Sequence, residues 1–165
     1  MNKEIKDPRI EVIMPKIIVG KRVQLTLLEN GVKTKELWQQ FMPRRKSIFQ
    51  TVNTDLLSVQ IYPDTACFDK DMVFEKWAAV EVSHLDIIPD GMESYTLQGG
   101  LYAVFIYKGI AADFMNTYQF IFNEWLPSSP YIFDNREQFE IMNEHYRPDD
   151  PLATEEVWIP IKAKE

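Results

Sequence analysis

Gly20 lies in a strand that leads to a helix bearing Trp38, and the same order returns at Gly100 with a helix bearing Tyr118. The spacing is constant at 80 residues, so that Leu25 falls on Phe105, Leu27 on Tyr107 and Phe41 on Ile121. Such an echo predicts two strand–helix–strand–strand units related by a pseudo-two-fold axis, an α+β arrangement. Units paired in this way leave a cleft where they meet, the default position for a ligand. The pseudo-repeats cover about residues 9–83 and 97–162 of a single domain, 1–165. A chain of 165 residues is long enough to bury most of its apolar surface without disulfides or metal.

The elements follow from periodicity and punctuation. Residues 9–14 and 17–28 alternate as strands, interrupted by Pro15. Asn30-Gly31 reads as a turn, Thr34 as an N-cap, and Leu37, Trp38, Phe41 and Met42 as the apolar stripe of a helix that Pro43 ends. Strands are expected at 56–62 and 73–83, on either side of the polar loop Pro63–Asp71, and residues 85–94 form a connector with a Pro-Asp-Gly turn. A strand at 101–107 precedes a helix at 112–125, whose broad face carries Phe114, Tyr118, Ile121, Phe122 and Trp125. Glu156–Ile161 reads as the last strand, and Pro160 within it predicts an edge or terminating position.

Charge and composition exclude several functions. A net charge of −7 argues against a nucleic-acid surface, which needs a basic patch, and Arg44-Arg45-Lys46 reads as a solvated face. The same acidity leaves room for a cationic ligand. Cys67 is the only cysteine, and His84 and His145 are far apart, so no disulfide, metal site or cofactor is expected. Neither a signal peptide nor a membrane-spanning run is present, which predicts a cytoplasmic protein with no membrane partner. Nucleophile-elbow, phosphate-loop and metal motifs are absent.

Acids and large rings share faces at several places. In EVWIPI, Glu156 and Trp158 point one way while Val157 and Ile159 point the other. Glu81 shares a face with Trp77 and Ala79 in the same manner. Tyr102, Phe105 and Tyr107 alternate on one strand, so only one face of it can look into a cleft. The helix aromatics are core by spacing, but the repeat would bring Trp38 and Tyr118 near the symmetry axis.

The ordered series GGLYAVFIYKG, NEWLPSS, FEIMNEHY and EEVWIPIK, preceded by IIVGKRVQLT, ELWQQFMPR and LLSVQIY, resembles the GyrI-like small-molecule-binding domain. That domain is also known as the AraC-type transcription-activator effector-binding domain, and its stand-alone members include integron-cassette proteins. The resemblance covers nearly the whole chain after about residue 10, and it implies a curved antiparallel sheet, two main helices and a central hydrophobic cleft for aromatic, often cationic, compounds. By its motifs, Glu140 of the FE block is the charge in the cleft, and Trp158, Glu156 and Tyr62 are further site positions; Trp77, Tyr107, Phe105 and Trp38 complete the candidate set. Relatives often have Tyr where this chain has Met142. Fused relatives carry a helix-turn-helix upstream, whereas about eight residues precede the first strand here, so no direct DNA binding is expected.

A carboxylate walled by rings is costly to bury without a partner. A cationic aromatic ligand would supply one, its charge on Glu140 and its rings on Trp158 or Trp77. The resemblance therefore implies capture of small amphipathic or cationic aromatic molecules, linked to transcription regulation or to a drug or toxin response. A protein-interaction role of the gyrase-inhibitor type, with a protein partner, is the second reading. A hydrolase that opens strained rings, using a pocket Glu as general base, is the third.

Overall fold

The computed structural model describes residues 7–64 and 71–165; Cys67 and most of the polar loop after Pro63 lie outside them. The first unit contains Arg9–Ile13 (β1), Lys16–Thr26 (β2), helix Asn30–Phe41 (α1), Leu56–Ile61 (β3) and Val73–Val82 (β4). The second contains Glu93–Leu97 (β5), Gly100–Lys108 (β6), a helix, then Tyr131–Phe133 (β7), Gln138–Met142 (β8) and Thr154–Ala163 (β9). The second helix, α2, runs through Phe114–Phe120, widens to a π turn over Ile121–Trp125 and closes at Leu126–Ser128.

The strands form one antiparallel sheet in the order β1-β6-β9-β8-β3-β4-β2-β5, with β7 paired to the end of β9. The strand order is symmetric about the central β3·β8 pair. Trp77 stands opposite Arg22 and Val59, and Trp158 correspondingly stands opposite Val104 and Phe139. This register corrects the constant spacing. In the first strands Val23 and Leu25, rather than Leu25 and Leu27, correspond to Phe105 and Tyr107.

The outer strands are exchanged between the units. β1 precedes β2 yet pairs with β6, and β5 precedes β6 yet pairs with β2. The connections are Met14-Pro15 and Gln98-Gly99, and two residues span only about 7 Å. The two margins must therefore approach each other, and the sheet curls. Where the connections cross, Gly99 has φ +76°, and a Cβ there would lie 2.6 Å from the Ile13 carbonyl oxygen. Arg136 fastens the crossing. Its guanidinium donates to the carbonyls of Gly99 (2.6 Å), Leu101 and Ile161 (3.2 Å), pairs with Asp134 at 2.6 Å and lies over the Tyr102 ring.

The inner face of the curl is a continuous core of Ile18, Leu57, Val59, Trp77, Leu97, Tyr102, Val104, Phe139 and Trp158. The other face carries the helices. Leu37 and Phe41 of α1 pack on Ala78, Val80 and Met142, while Ile121 and Leu126 of α2 pack on Phe105, Val157 and Ile159. Between the two helix cores no described helix covers the sheet.

Four local expectations change. α1 begins at Asn30 rather than beyond Thr34, because Thr26 and Glu29 hydrogen-bond reciprocally in the manner of a capping box. Thr34 instead donates to Asn30 within the helix. The end of the expected connector is strand β5, which satisfies the free flank of β2. Pro160 does not mark an edge, since β9 lies between β6 and β8. It sits beyond the start of β8, with its carbonyl turned to the Asp134 N–H, so the ladder to β6 loses no donor.

Candidate functional site

The uncovered strip between the helices is the floor of a cleft of about 420 Å³, within the range of small-molecule sites. Helix-side positions of the central strands supply a polar floor: Gln60 of β3, Lys76 of β4, and Gln138 and Glu140 of β8. The walls are rings. Phe114, Tyr118 and Phe122 recur every fourth residue along α2, their centroids 5.3 and 5.2 Å apart in succession. Tyr62 and Phe74, 5.3 Å apart, face them from β3's end and β4, and Phe133 closes one end. The Tyr62 and Tyr118 hydroxyls approach to 3.4 Å across the cleft. A shallower depression of about 250 Å³ near Leu126, Pro127, Tyr131 and Lys164 is lined by no carboxylate.

Glu140 is buried, and its Oε2 has no hydrogen-bond partner among the described residues. Burial pushes its carboxyl up to about 8; the neighbouring Lys76 ammonium opposes the rise and Glu155 adds to it. Burial lowers the Lys76 amine, against the pull of Glu140 and Glu155. Lys76 Nζ donates to Asn30 Oδ1 at 3.4 Å, which ties the floor to the first turn of α1. Glu155, one pair further along the same face, is raised to about 7 by burial, partly offset by its hydrogen bond from Tyr146 and by Lys76. Two carboxyls thus share one amine in a dry strip. One of them must hold a proton or find another cation.

Of the sequence candidates, Glu140 and Tyr62 line the cleft, together with Tyr118. The remainder lie elsewhere, for reasons of register. Glu140 pairs with Val157, so Trp158 and Glu156 fall on the reverse faces. Trp158 stacks on Phe139 at 5.3 Å inside the curl and donates to Glu156, which pairs with Arg9 at 2.7 Å. Trp77 occupies the symmetric place, donating to Glu75. Glu81 is engaged with Lys16 at 3.4 Å. Phe105 and Tyr107 are on the helix side but covered by α2, against Trp125 and Phe114 respectively, both at 5.1 Å. Trp38 packs edge-on against Phe41 at 5.7 Å in the α1 core.

Lys76, Gln60 and Gln138 were not among the candidates. Their signal in the sequence was a spacing of two residues from Phe74, Tyr62 and Glu140, which puts them on the same strand faces. Among the described residues, no cluster of His, Cys, Asp and Glu could hold a metal ion, and no helix is long and apolar enough to cross a membrane.

The family model for the GyrI-like small molecule binding domain matches residues 6–162. An integron cassette protein from the mobile metagenome of Vibrio cholerae is similar in structure, with TM-score 0.71 and 15% identity over 98% of this chain and 100% of its own. SAV2435, solved bound to tetraphenylphosphonium, gives TM-score 0.72 at 13% identity over 95% of this chain and 94% of its own. The C-terminal domain of EcmrR gives 0.68 at 16% identity, over 94% and 97%. At these identities the likeness is one of fold. No curated protein matches the sequence.

Proposed function

We propose, because this chain belongs to the GyrI-like small-molecule-binding domain family, that its central cleft captures amphipathic or cationic aromatic compounds. The observation that carries this reading is the buried Glu140 Oε2, unpartnered beneath a wall of rings. A lipophilic cation satisfies both features at once. Its charge answers the carboxylate in a medium of low dielectric, and its apolar body takes the rings out of water. The tetraphenylphosphonium bound by SAV2435 is a compound of this kind, which supports the class. Capture would serve as a sensing step in transcription regulation or in the response to a drug or toxin.

The test is a pair of dyes of matched shape, one cationic and one neutral, titrated by fluorescence against the native protein and Glu140→Gln. Glutamine keeps the volume and removes the charge. The cationic dye is expected to lose roughly 1–3 kcal/mol, the scale of a charge-assisted contact, and the neutral dye to lose almost nothing. Equal losses for both would reduce Glu140 to part of the wall. If neither dye binds the native protein, the proposal fails.

A further inference from the structure

We propose that the cleft selects cations carrying N–H groups, such as aryl-substituted primary ammonium or amidinium compounds, over quaternary cations of the same shape; this rests on the cation-capture reading above. Gln60 and Gln138 are directly paired across β3·β8, and Glu140 follows Gln138 by two residues on the same face. On these three neighbours four buried polar atoms have no hydrogen-bond partner among the described residues: Gln60 Oε1, both amide atoms of Gln138, and Glu140 Oε2. Gln138 is wholly buried, at 0% exposure, and all three residues line the cleft. Native interiors rarely leave such groups unpaired, so four of them lining one cleft call for water or a bound molecule as their partner.

Turning the Gln138 amide does not alter the count. Both ends of Gln138 are open, so turning it still leaves one acceptor and one donor. Gln60 engages Ser58 Oγ at 3.3 Å with one end and presents the other. With Gln60 Nε2 donating to Ser58 and Glu140 ionised, the array offers three acceptors and one donor, and it calls for a ligand that donates more than it accepts. Lys76, the floor's own cation, donates to Asn30 instead.

A quaternary ammonium or phosphonium has no N–H and would leave all four atoms unpaired. It is also weakly hydrated, so a cleft made of rings and one charge would favour it. A primary ammonium is strongly hydrated and enters only where the protein replaces the lost water hydrogen bonds. The amide and carboxylate array does this.

Isothermal titration calorimetry with 4-biphenylmethylammonium and its N,N,N-trimethyl derivative separates the two cases, since rings and charge are shared. In the native protein the primary ammonium is expected to bind about tenfold tighter or more. Gln138→Leu removes a donor and an acceptor at similar volume. It should bring the two affinities within about twofold by weakening the primary ammonium alone. Gln60→Met should narrow the gap less, and it provides an independent variant if Gln138→Leu melts early. Equal or tighter binding of the trimethyl compound to the native protein overturns the selectivity while leaving cation capture standing. A gap untouched by both substitutions also overturns it. Failure of both compounds to bind overturns this inference and the reading beneath it.

Discussion

At Glu140 a carboxyl, an amine and a second carboxyl occupy the same dry strip, so the charge of the cleft depends on pH. The folded protein holds the Glu140 proton up to about 8, far above the ordinary carboxyl value near 4.5. The group's contribution to stability is therefore complete below about 4.5 and is lost as pH rises through 8, with Glu155 acting in the same direction up to about 7. Across pH 5 to 9 the melting temperature of the native protein should fall relative to that of Glu140→Gln, as followed by circular dichroism. Binding moves the opposite way, because only the ionised carboxylate attracts a cation. Affinity for a cationic dye should climb with pH by up to about tenfold per unit below 8, and the climb should vanish in Glu140→Gln. A flat profile in the native protein would detach Glu140 from cation binding. Glu140 and Tyr62 could be read from the sequence because their blocks carry the family resemblance. Trp158 and Trp77 could not be placed, since the side a residue faces depends on which neighbour it pairs with, and Glu140↔Val157 puts the indole on the reverse side. Lys76, Gln60 and Gln138 are ordinary polar residues until the strands on either side of them are known to be buried.

Each strand's role depends on how closely its neighbours can approach. Gly20 of β2 lies against Ala79 of β4, where a Cβ would come within 2.0 Å of the Ala78 carbonyl oxygen and 2.6 Å of the Ala79 Cα. Both contacts are backbone and cannot turn aside. Gly20→Ala should cost roughly 1–3 kcal/mol in urea unfolding, the scale of overpacking, while dye binding in the distant cleft stays unchanged in the folded fraction. A cost below about half a kcal/mol would mean that the strands can separate at this point without loss. The long alternating strands and the ring-bearing helices were legible because each has enough length to show its period. β5, β7 and β8 were not. They have five, three and five residues, and they are strands because β2, β9 and β3 offer flanks to pair with, a condition met only in the folded sheet. The early start of α1 was legible in principle, since Thr26-Leu27-Leu28-Glu29 carries the capping-box spacing.

The whole molecule is held closed where the two short connections cross, and Arg136 joins one of them, at Gly99, to β6 and β9. A lysine has the charge but cannot reach three carbonyls and an aspartate at once. Arg136→Lys should lower stability by about 1.5–3 kcal/mol in denaturant titration, the worth of one lost charged hydrogen bond, because some of its contacts survive. Cationic-dye affinity should not change, as Arg136 lies over Tyr102 on the face away from the cleft. A loss of affinity without a loss of stability would show that the curl itself sets the cleft's width. The exchanged strands also impose an order in time. As the chain leaves the ribosome, β2, β3, β4 and β5 can all find one another within the first stretch made, but β1, the earliest strand, has no partner until β6 has been synthesised. The newly made first half therefore carries in β1 an unpaired strand that waits for β6 of the second half.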